Sequence, residues 1–174
     1  MTHRRFFAAA AMALLAAPAW ALVASAPVPA DGITPAEVAQ LMSLHHMAPK
    51  PGQGSGGNPV IDGQVAGTGF DLPGVRLGNA GVGFDIRLSD CHDGHCRDLQ
   101  FEVGWSKAEP PAVTLDKINA WNVTHRFLRA YLTADHTLWA TMDARIARGT
   151  TANIEEYLAL WPAMVNEFRS YFRL

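Results

Sequence analysis

The chain has 174 residues, of which 14 are basic and 16 acidic, and 49% are hydrophobic. This length indicates one domain, and the apolar fraction is enough to build a buried core. The mildly acidic balance, without a cluster of Lys and Arg, argues against a nucleic-acid partner and against an electrostatic hold on anionic lipid.

Residues 1–21 have the pattern of a secretory signal peptide. Arg4 and Arg5 precede an apolar run over residues 6–17, and a small-x-small cleavage site follows at residues 19–21. An uncleaved membrane anchor is the alternative, but the run is shorter than the ~20 residues that a spanning helix needs. The Arg pair also allows twin-arginine export, although the rest of that motif is incomplete. We therefore expect a periplasmic or secreted protein, exported by the Sec or the twin-arginine route.

Removal of the signal peptide would leave residues 22–174, with 12 basic residues against 16 acidic ones and a formal charge of −4. Residues 22–32 are rich in Pro and Ala, which predicts a flexible lead-in. Residues 33–174 are then the single folded domain. In that part of the sequence no segment is long and apolar enough to predict a membrane span.

The first predicted element of the domain is a helix. Thr34 is placed to cap it, Pro35 takes the first helical position and Glu37 completes a capping box. Residues 48–57 are rich in Gly, Pro and Ser and are predicted as a flexible loop. A weak strand is predicted in "NPVIDGQVAG", and the glycine-rich residues 67–80 are either a long loop or a further strand.

A β-hairpin is predicted around the sequence "DCHDGHC". Every second residue is apolar on both sides of it, at Val82, Phe84, Ile86 and Leu88 and again at Leu99, Phe101, Val103 and Trp105. A period of two predicts strands with one buried face, and Asp93-Gly94 is a turn signal. Cys91 and Cys96 should then lie opposite each other.

The chemistry of these two cysteines decides how the hairpin is interpreted. Two cysteines in an exported protein most often pair, and opposite Cβ atoms on antiparallel strands, ~4.5–5.5 Å apart, approach the distance that a disulfide needs. Cys91, His92, His95 and Cys96 are also four potential zinc ligands, but one tight turn does not readily supply a tetrahedron. The C-x4-C spacing differs from the C-x-x-C of redox enzymes. We predict a disulfide, with a metal site or free thiols as alternatives.

The second half of the chain predicts a helix, two strands and a long final helix. Thr114 caps the helix that contains "INAWN", and "RFLRAYLT" and "TLWATMDARI" are the strands. The final helix has a stripe with steps of four and three, at Ile154, Leu158, Trp161, Val165, Phe168 and Phe172. Pro162 should kink or split that helix. The predicted order is α-β-β-β-α-β-β-α, an α+β fold with a small antiparallel sheet flanked by the N-terminal, middle and C-terminal helices.

Two groups of residues are candidates for contact with a partner. Asn119 and Asn122 share a helix face beside Trp121 and, with Arg126, either fix the helix–strand junction or form a polar contact site. On the final helix, a second apolar row contains Tyr157, Leu160, Met164 and Tyr171. It either widens the core face or stays partly exposed and makes a dimer or chaperone-like contact. The candidate contact residues are Trp121, Asn122, Arg126, Leu160 and Met164.

Motifs for catalysis are missing from the sequence, which has no G-x-S-x-G, no H-E-x-x-H, no P-loop and no dinucleotide fingerprint. His45, His46 and His125 are isolated, and Asp143 is predicted as a strand-face acid without a catalytic partner. We therefore expect no enzymatic activity, no cofactor and no metal. The alternative is a cryptic metal-binding or redox protein that uses the Cys91–Cys96 loop.

The block from residue 118 to residue 161 resembles the core of the YbjN domain family, which carries Ile-Asn-x-Trp-Asn, then Arg-Phe, two strands and a glycine turn into a helix. The matching residues are Ile118, Asn119, Trp121, Asn122, Arg126, Phe127, Tyr131 and Gly149. "ITPAEVAQLM" resembles the family's first helix and "CRDLQF" part of its hairpin. The signal peptide and the glycine-rich residues 67–78 depart from the family pattern.

This resemblance implies a fold similar to type III secretion chaperones, often dimeric, and a link to sensory transduction without an established catalytic activity. We expect a non-catalytic periplasmic module that is chaperone-like or regulatory. It would bind an unidentified protein partner or form a homodimer.

Overall fold

The computed structural model describes residues 32–54, 57–65, 82–106, 113–146 and 151–174. The predicted signal peptide, nearly all of the lead-in, the glycine-rich residues 67–80 and Gly149 lie outside these ranges. The helices are α1 (Pro35–Leu44), α2 (Leu115–Thr124) and α3 (Ala152–Phe172). The strands are β1 (Lys50–Gln53), β2 (Pro59–Val65), β3 (Val82–His92), β4 (His95–Trp105), β5 (Arg129–Leu132) and β6 (Leu138–Arg145). The predicted α+β class is confirmed.

The six strands form one antiparallel sheet in the order β1-β2-β3-β4-β6-β5. The long β3–β4 hairpin is at its centre, where the alternating apolar residues predicted two strands. The first two strands extend the sheet on one side. The last two extend it on the other, with β6 inserted between β4 and β5.

The strand β1 was not predicted, so the expectation of a loop over residues 48–57 is wrong at Lys50–Gln53, and the observed order is α-β-β-β-β-α-β-β-α. All four residues of β1 are exposed, so no alternation of apolar residues marks this edge strand in the sequence. Pro51 is compatible with it because proline favours extended backbone and, at an edge, its missing N–H is tolerated. The predicted strand "RFLRAYLT" also begins later than expected, at Arg129.

The turn of the central hairpin has only two residues outside the strands. Asp93 and Gly94 both have positive φ, at 49° and 82°, as a type I′ turn requires. Cys91 and Cys96 are direct partners in the ladder, with Cα atoms 3.9 Å apart, and their sulfurs are joined in a disulfide. The predicted geometry of the cysteine pair is what the structure shows.

All three helices pack on one face of the sheet. The predicted stripe of α3 is buried along its whole length, and Trp161 sits on the central hairpin with ring centroids 5.6 Å from Phe84 and 5.3 Å from Phe101. Met42 of α1 occupies the space above Gly63 of β2. Trp121 of α2 packs edge to face with Phe168 of α3, with ring centroids 5.0 Å apart. The opposite face of the sheet carries no described helix.

The helix α3 is continuous over 21 residues with Pro162 inside it, so of the two predicted effects of this proline a split is excluded. Both cap predictions for the other helices are confirmed. Thr34 and Glu37 form the capping box of α1, and the Thr114 side chain accepts a hydrogen bond from Lys117 N–H at the start of α2.

Exchange of both Cys91 and Cys96 for Ser should lower the free energy of unfolding by about 2 kcal/mol, because the closed loop is short. Chemical denaturation of the mature protein measures this change. Thiol labelling of the unfolded, non-reduced wild-type chain should find no reactive thiol. Two labelled thiols per chain, or one tightly held zinc ion, would contradict the disulfide.

Candidate functional site

The motif "INAWN" lies at the junction between α2 and β5. Trp121 is only 1% exposed, and its indole N–H donates to the Leu128 carbonyl at 2.8 Å. One face of the ring stacks on His125 at a centroid distance of 3.4 Å. The indole thus fixes the chain segment that leaves α2.

Asn122 binds the outer edge of β5. Its Oδ1 accepts from Ala130 N–H at 2.8 Å, and its Nδ2 donates to the Ala130 carbonyl at 2.9 Å. The side-chain amide therefore satisfies both backbone groups of one edge residue, as a neighbouring strand would do. Asn119 and Arg126 are exposed, as is Asn122 itself, but among the described residues they make no such bond to a strand. Of the two interpretations of this motif, the contacts of Trp121 and Asn122 support the junction, and a partner-contact role for them stays a prediction.

The residues of the second apolar row of α3 differ in their exposure to solvent. Leu160 is 45% exposed, whereas Met164, Tyr157 and Tyr171 are half-buried and pack against the core. Lys117 of α2 lies 5.3 Å from the centroid of the Tyr171 ring, which ties that end of the row to α2. Leu160 is thus the predicted contact residue on α3 that solvent reaches most freely.

The hairpin loop does not present the thiols that the metal and redox alternatives require. Cys96 is fully buried, Cys91 is half-buried, and their sulfurs are bonded to each other. The His92 side chain is exposed, and its Nε2 lies 3.4 Å from Oδ1 of Asp90. Within the part of the chain that the structure describes, no group of three or more His, Cys, Asp or Glu side chains is placed to hold a metal ion.

The helix-free face of the sheet presents a site that sequence reasoning missed. Strand pairing puts one polar residue from each strand into a single row, in the order Lys50, Asp62, Asp85, Glu102, Thr141 and Arg129. Pairing in the neighbouring row joins Gln64 to Gly83, and joins Gly104, Trp139 and Tyr131. The alternation in the predicted hairpin places Gly83, Asp85, Glu102 and Gly104 opposite its apolar residues, but no pattern in the sequence marks the members of these rows that come from the other strands.

A cavity of about 430 Å³ lies over the two rows. Its floor includes Gly83, above which there is open space, and one side is formed by Trp139, whose ring lies over Gly104. A Cβ on Gly104 would be 3.0 Å from three atoms of that ring, so glycine lets the indole lie flat on the strand. Tyr131 stacks beside Trp139, with centroids 6.5 Å apart and planes 13° from parallel.

One of the three carboxyl groups around the cavity has a strong partner. Glu102 is 5% exposed, and Arg87 donates to its Oε1 from Nε at 3.0 Å and from Nη2. Hydrogen bonding to Glu102 raises the pKa of Arg87. Because a buried carboxyl group is costly without such a partner, the contact with Arg87 compensates for the burial of Glu102.

Asp62 and Asp85 face each other across β2 and β3. The pKa of Asp85 is raised, first by burial and then by the charge of Asp62, by hydrogen bonding to Asp62 and by the charge of Glu102; Arg87 opposes this shift. Like charges directly opposite on neighbouring strands destabilise a sheet. This pair is therefore a local conflict that the fold tolerates.

A second depression on the same face holds groups that are already paired. The Gln100 amide donates to Asp143 Oδ1 at 2.8 Å, and Arg145 lies 3.5 Å from Asp98. Here Asp143 and Asp98 have an amide and a guanidinium partner, which distinguishes this depression from the cavity beside Trp139.

The YbjN family model, described as "Putative bacterial sensory transduction regulator", matches residues 34–174. The chain belongs to the YbjN family. The match begins at the N-cap of α1 and covers every described helix and strand, which confirms the predicted resemblance. No curated protein and no solved structure gives a match. In the described part of this YbjN domain, no helix is long and apolar enough to cross a membrane.

Replacement of Asn122 by Leu in the YbjN domain should lower the free energy of unfolding by about 1–3 kcal/mol, because the N–H and C=O of Ala130 lose their partner. Asn119→Leu is the matched control on the same helix, three residues away and exposed. It should change stability by no more than about 0.5 kcal/mol. Urea unfolding curves provide the comparison, and equal effects of the two changes would contradict the edge-binding role of Asn122.

Proposed function

We propose that this YbjN-family protein is a non-catalytic regulatory module that acts in the periplasm by binding a protein partner. The observation that carries the proposal is the family match over residues 34–174, whose description is regulatory. The Cys91–Cys96 disulfide supports a place outside the cytoplasm, because such bonds persist in oxidising compartments. The signal-peptide pattern of residues 1–21 supports the same compartment.

Both edges of the sheet are protected, which leaves fewer surfaces through which a partner would bind. At one edge, the side chain of Asn122 holds the backbone of Ala130. At the other edge, Pro51 lies in β1, which is short and exposed. Both devices disfavour the addition of another strand. Partner binding is therefore proposed to use side-chain surfaces.

The chaperone-like contact is assigned to the outer side of α3. Leu160 is exposed there, and Met164 lies one turn further along at the border of the core. Arg126 and Phe127, after the end of α2, add an exposed guanidinium and a ring that is 64% exposed.

The double change of Leu160 and Met164 to Gln should reduce partner binding or self-association while leaving the fold intact. Light scattering gives the oligomeric mass, chemical cross-linking in periplasm gives the partner complexes, and circular dichroism reports the fold. Leu44→Gln, which alters an exposed leucine of α1, is the matched control and should change none of them. Unchanged mass and complexes in a folded double variant would contradict the α3 contact, and so would unfolding of Leu160→Gln alone.

The exported protein should begin at Leu22, since residues 19–21 form the cleavage site. Intact-mass measurement of protein recovered from periplasm tests this. A mass that includes Met1 would contradict cleavage, and recovery only from cytoplasm would contradict the proposed compartment.

A further inference from the structure

The cavity on the helix-free face of the sheet is not used by the proposed partner contact. The cavity lies between β2, β3, β4 and β6, while the proposed contact lies on α3. At about 430 Å³ it falls within the usual range of small-molecule sites, roughly 300–1,000 Å³. The class of ligand can therefore be inferred from the side chains that line the cavity.

The indole of Trp139 provides a flat aromatic side. The ring is held over Gly104, and the space above the neighbouring Gly83 is open. A ligand in that space can contact the glycine backbone and the indole at once. Because the face of an indole carries negative electrostatic potential, it favours a cation within about 6 Å.

The carboxyl groups of Asp62 and Asp85 line the same cavity. Among the described residues, Glu102 has Arg87 as its ion-pair partner, whereas neither aspartate has a basic side chain at ion-pair distance. Lys50 lies beyond Asp62 in the row and is exposed at the rim. The cavity thus combines an aromatic side with two neighbouring carboxyl groups that have no basic partner at ion-pair distance among the described residues.

We propose that this cavity binds a small organic cation, an alkylammonium or guanidinium group, between the indole of Trp139 and the carboxylates of Asp62 and Asp85. The aromatic side favours an organic cation over a metal ion, and no metal-binding group of three or more His, Cys, Asp or Glu occurs in the described ranges. Such a ligand would neutralise the charge that Asp62 and Asp85 place opposite each other. This inference goes beyond the proposed function and does not depend on it.

The electrostatics of Asp85 predict how binding responds to pH. Burial raises the pKa of Asp85 above its ordinary value. The charge and hydrogen bond of Asp62 on β2 and the charge of Glu102 on β4 raise it further, and Arg87 on its own strand opposes the shift. A cation binds the carboxylate and not the neutral acid. Affinity should therefore be complete above the raised pKa of Asp85 and fall as the pH decreases through it.

The test is a titration of the mature protein with n-butylammonium and n-butylguanidinium chloride at pH 7. The readouts are the NMR signals of the amide protons of Gly83 and Gly104 and of the Trp139 indole N–H. Both cations should give saturable shifts at these three signals. The neutral probe 1-pentanol and the anion pentanoate should give none.

Matched variants locate the binding groups. Asp85→Asn and Asp62→Asn should each weaken cation binding by about threefold to tenfold, and Trp139→Leu by about twofold to fivefold. Asp143→Asn removes one negative charge from the same sheet face outside the cavity and should stay within about twofold of wild type. Lys50→Gln removes the competing cation at the rim and should tighten binding.

Four results would overturn the proposal. The first is the absence of saturable shifts with either cation, and the second is an equal response to 1-pentanol. The third is an equal loss of affinity in Asp143→Asn and Asp85→Asn, which would indicate only long-range charge. The fourth is a tighter response to magnesium or calcium chloride that Asp85→Asn abolishes, because the site would then bind metal. Each variant is compared with wild type only where its amide spectrum shows a folded chain.

Discussion

The packing of α3 on the central β3–β4 hairpin is the contact on which the rest of the molecule depends. Trp161 lies on Phe84 and Phe101, and Phe168 joins the hairpin to α2 through Trp105 and Trp121. Burial of each large apolar side chain contributes roughly 1.5–3 kcal/mol, and aromatic pairs add about 0.5–1.5 kcal/mol. Among the described residues, Nε1 of Trp161 has no hydrogen-bond partner. A buried N–H without a partner costs about 1–3 kcal/mol, which is less than the packing of these side chains contributes. The hydrophobic contact therefore dominates the placement of the helix.

This packing has consequences for every other surface. Because the helices cover one face of the sheet, the opposite face is left to polar residues and to the rings of Trp139 and Tyr131. The two edges of the sheet then present unpaired backbone groups, to which a strand of another chain could add. Asn122 binds the backbone at one edge, and Pro51 lies in the short strand at the other. A sheet of this construction is protected from uncontrolled strand pairing at both of its edges.

The helix-free face also contains the clearest local conflict in the fold. Two aspartates face each other across β2 and β3, and burial adds to their repulsion at Asp85. The nearby Arg87 is committed to Glu102. Natural proteins tend to keep such violations of local rules at sites that bind something, because selection for stability alone would remove them. The space above Gly83 is open, so this pair of aspartates borders a cavity and not packed side chains.

Local patterns in the sequence determined the α+β class, the helix caps at Thr34 and Thr114, the Asp93-Gly94 turn, the opposed cysteines and the buried stripe of α3. Each depends on residues close together in the chain or on a repeat of 2 or 3.6 residues. Only the tertiary structure decided that Lys50–Gln53 is a strand, that Asn122 binds Ala130, and that Asp62 lies opposite Asp85 in a cavity that Trp139 also lines. An exposed edge strand has no alternation to detect, and the direction of an amide depends on how α2 is docked. Strand register, which brings residues from distant parts of the sequence into one row, is set by the packing of the whole sheet and not by any single segment.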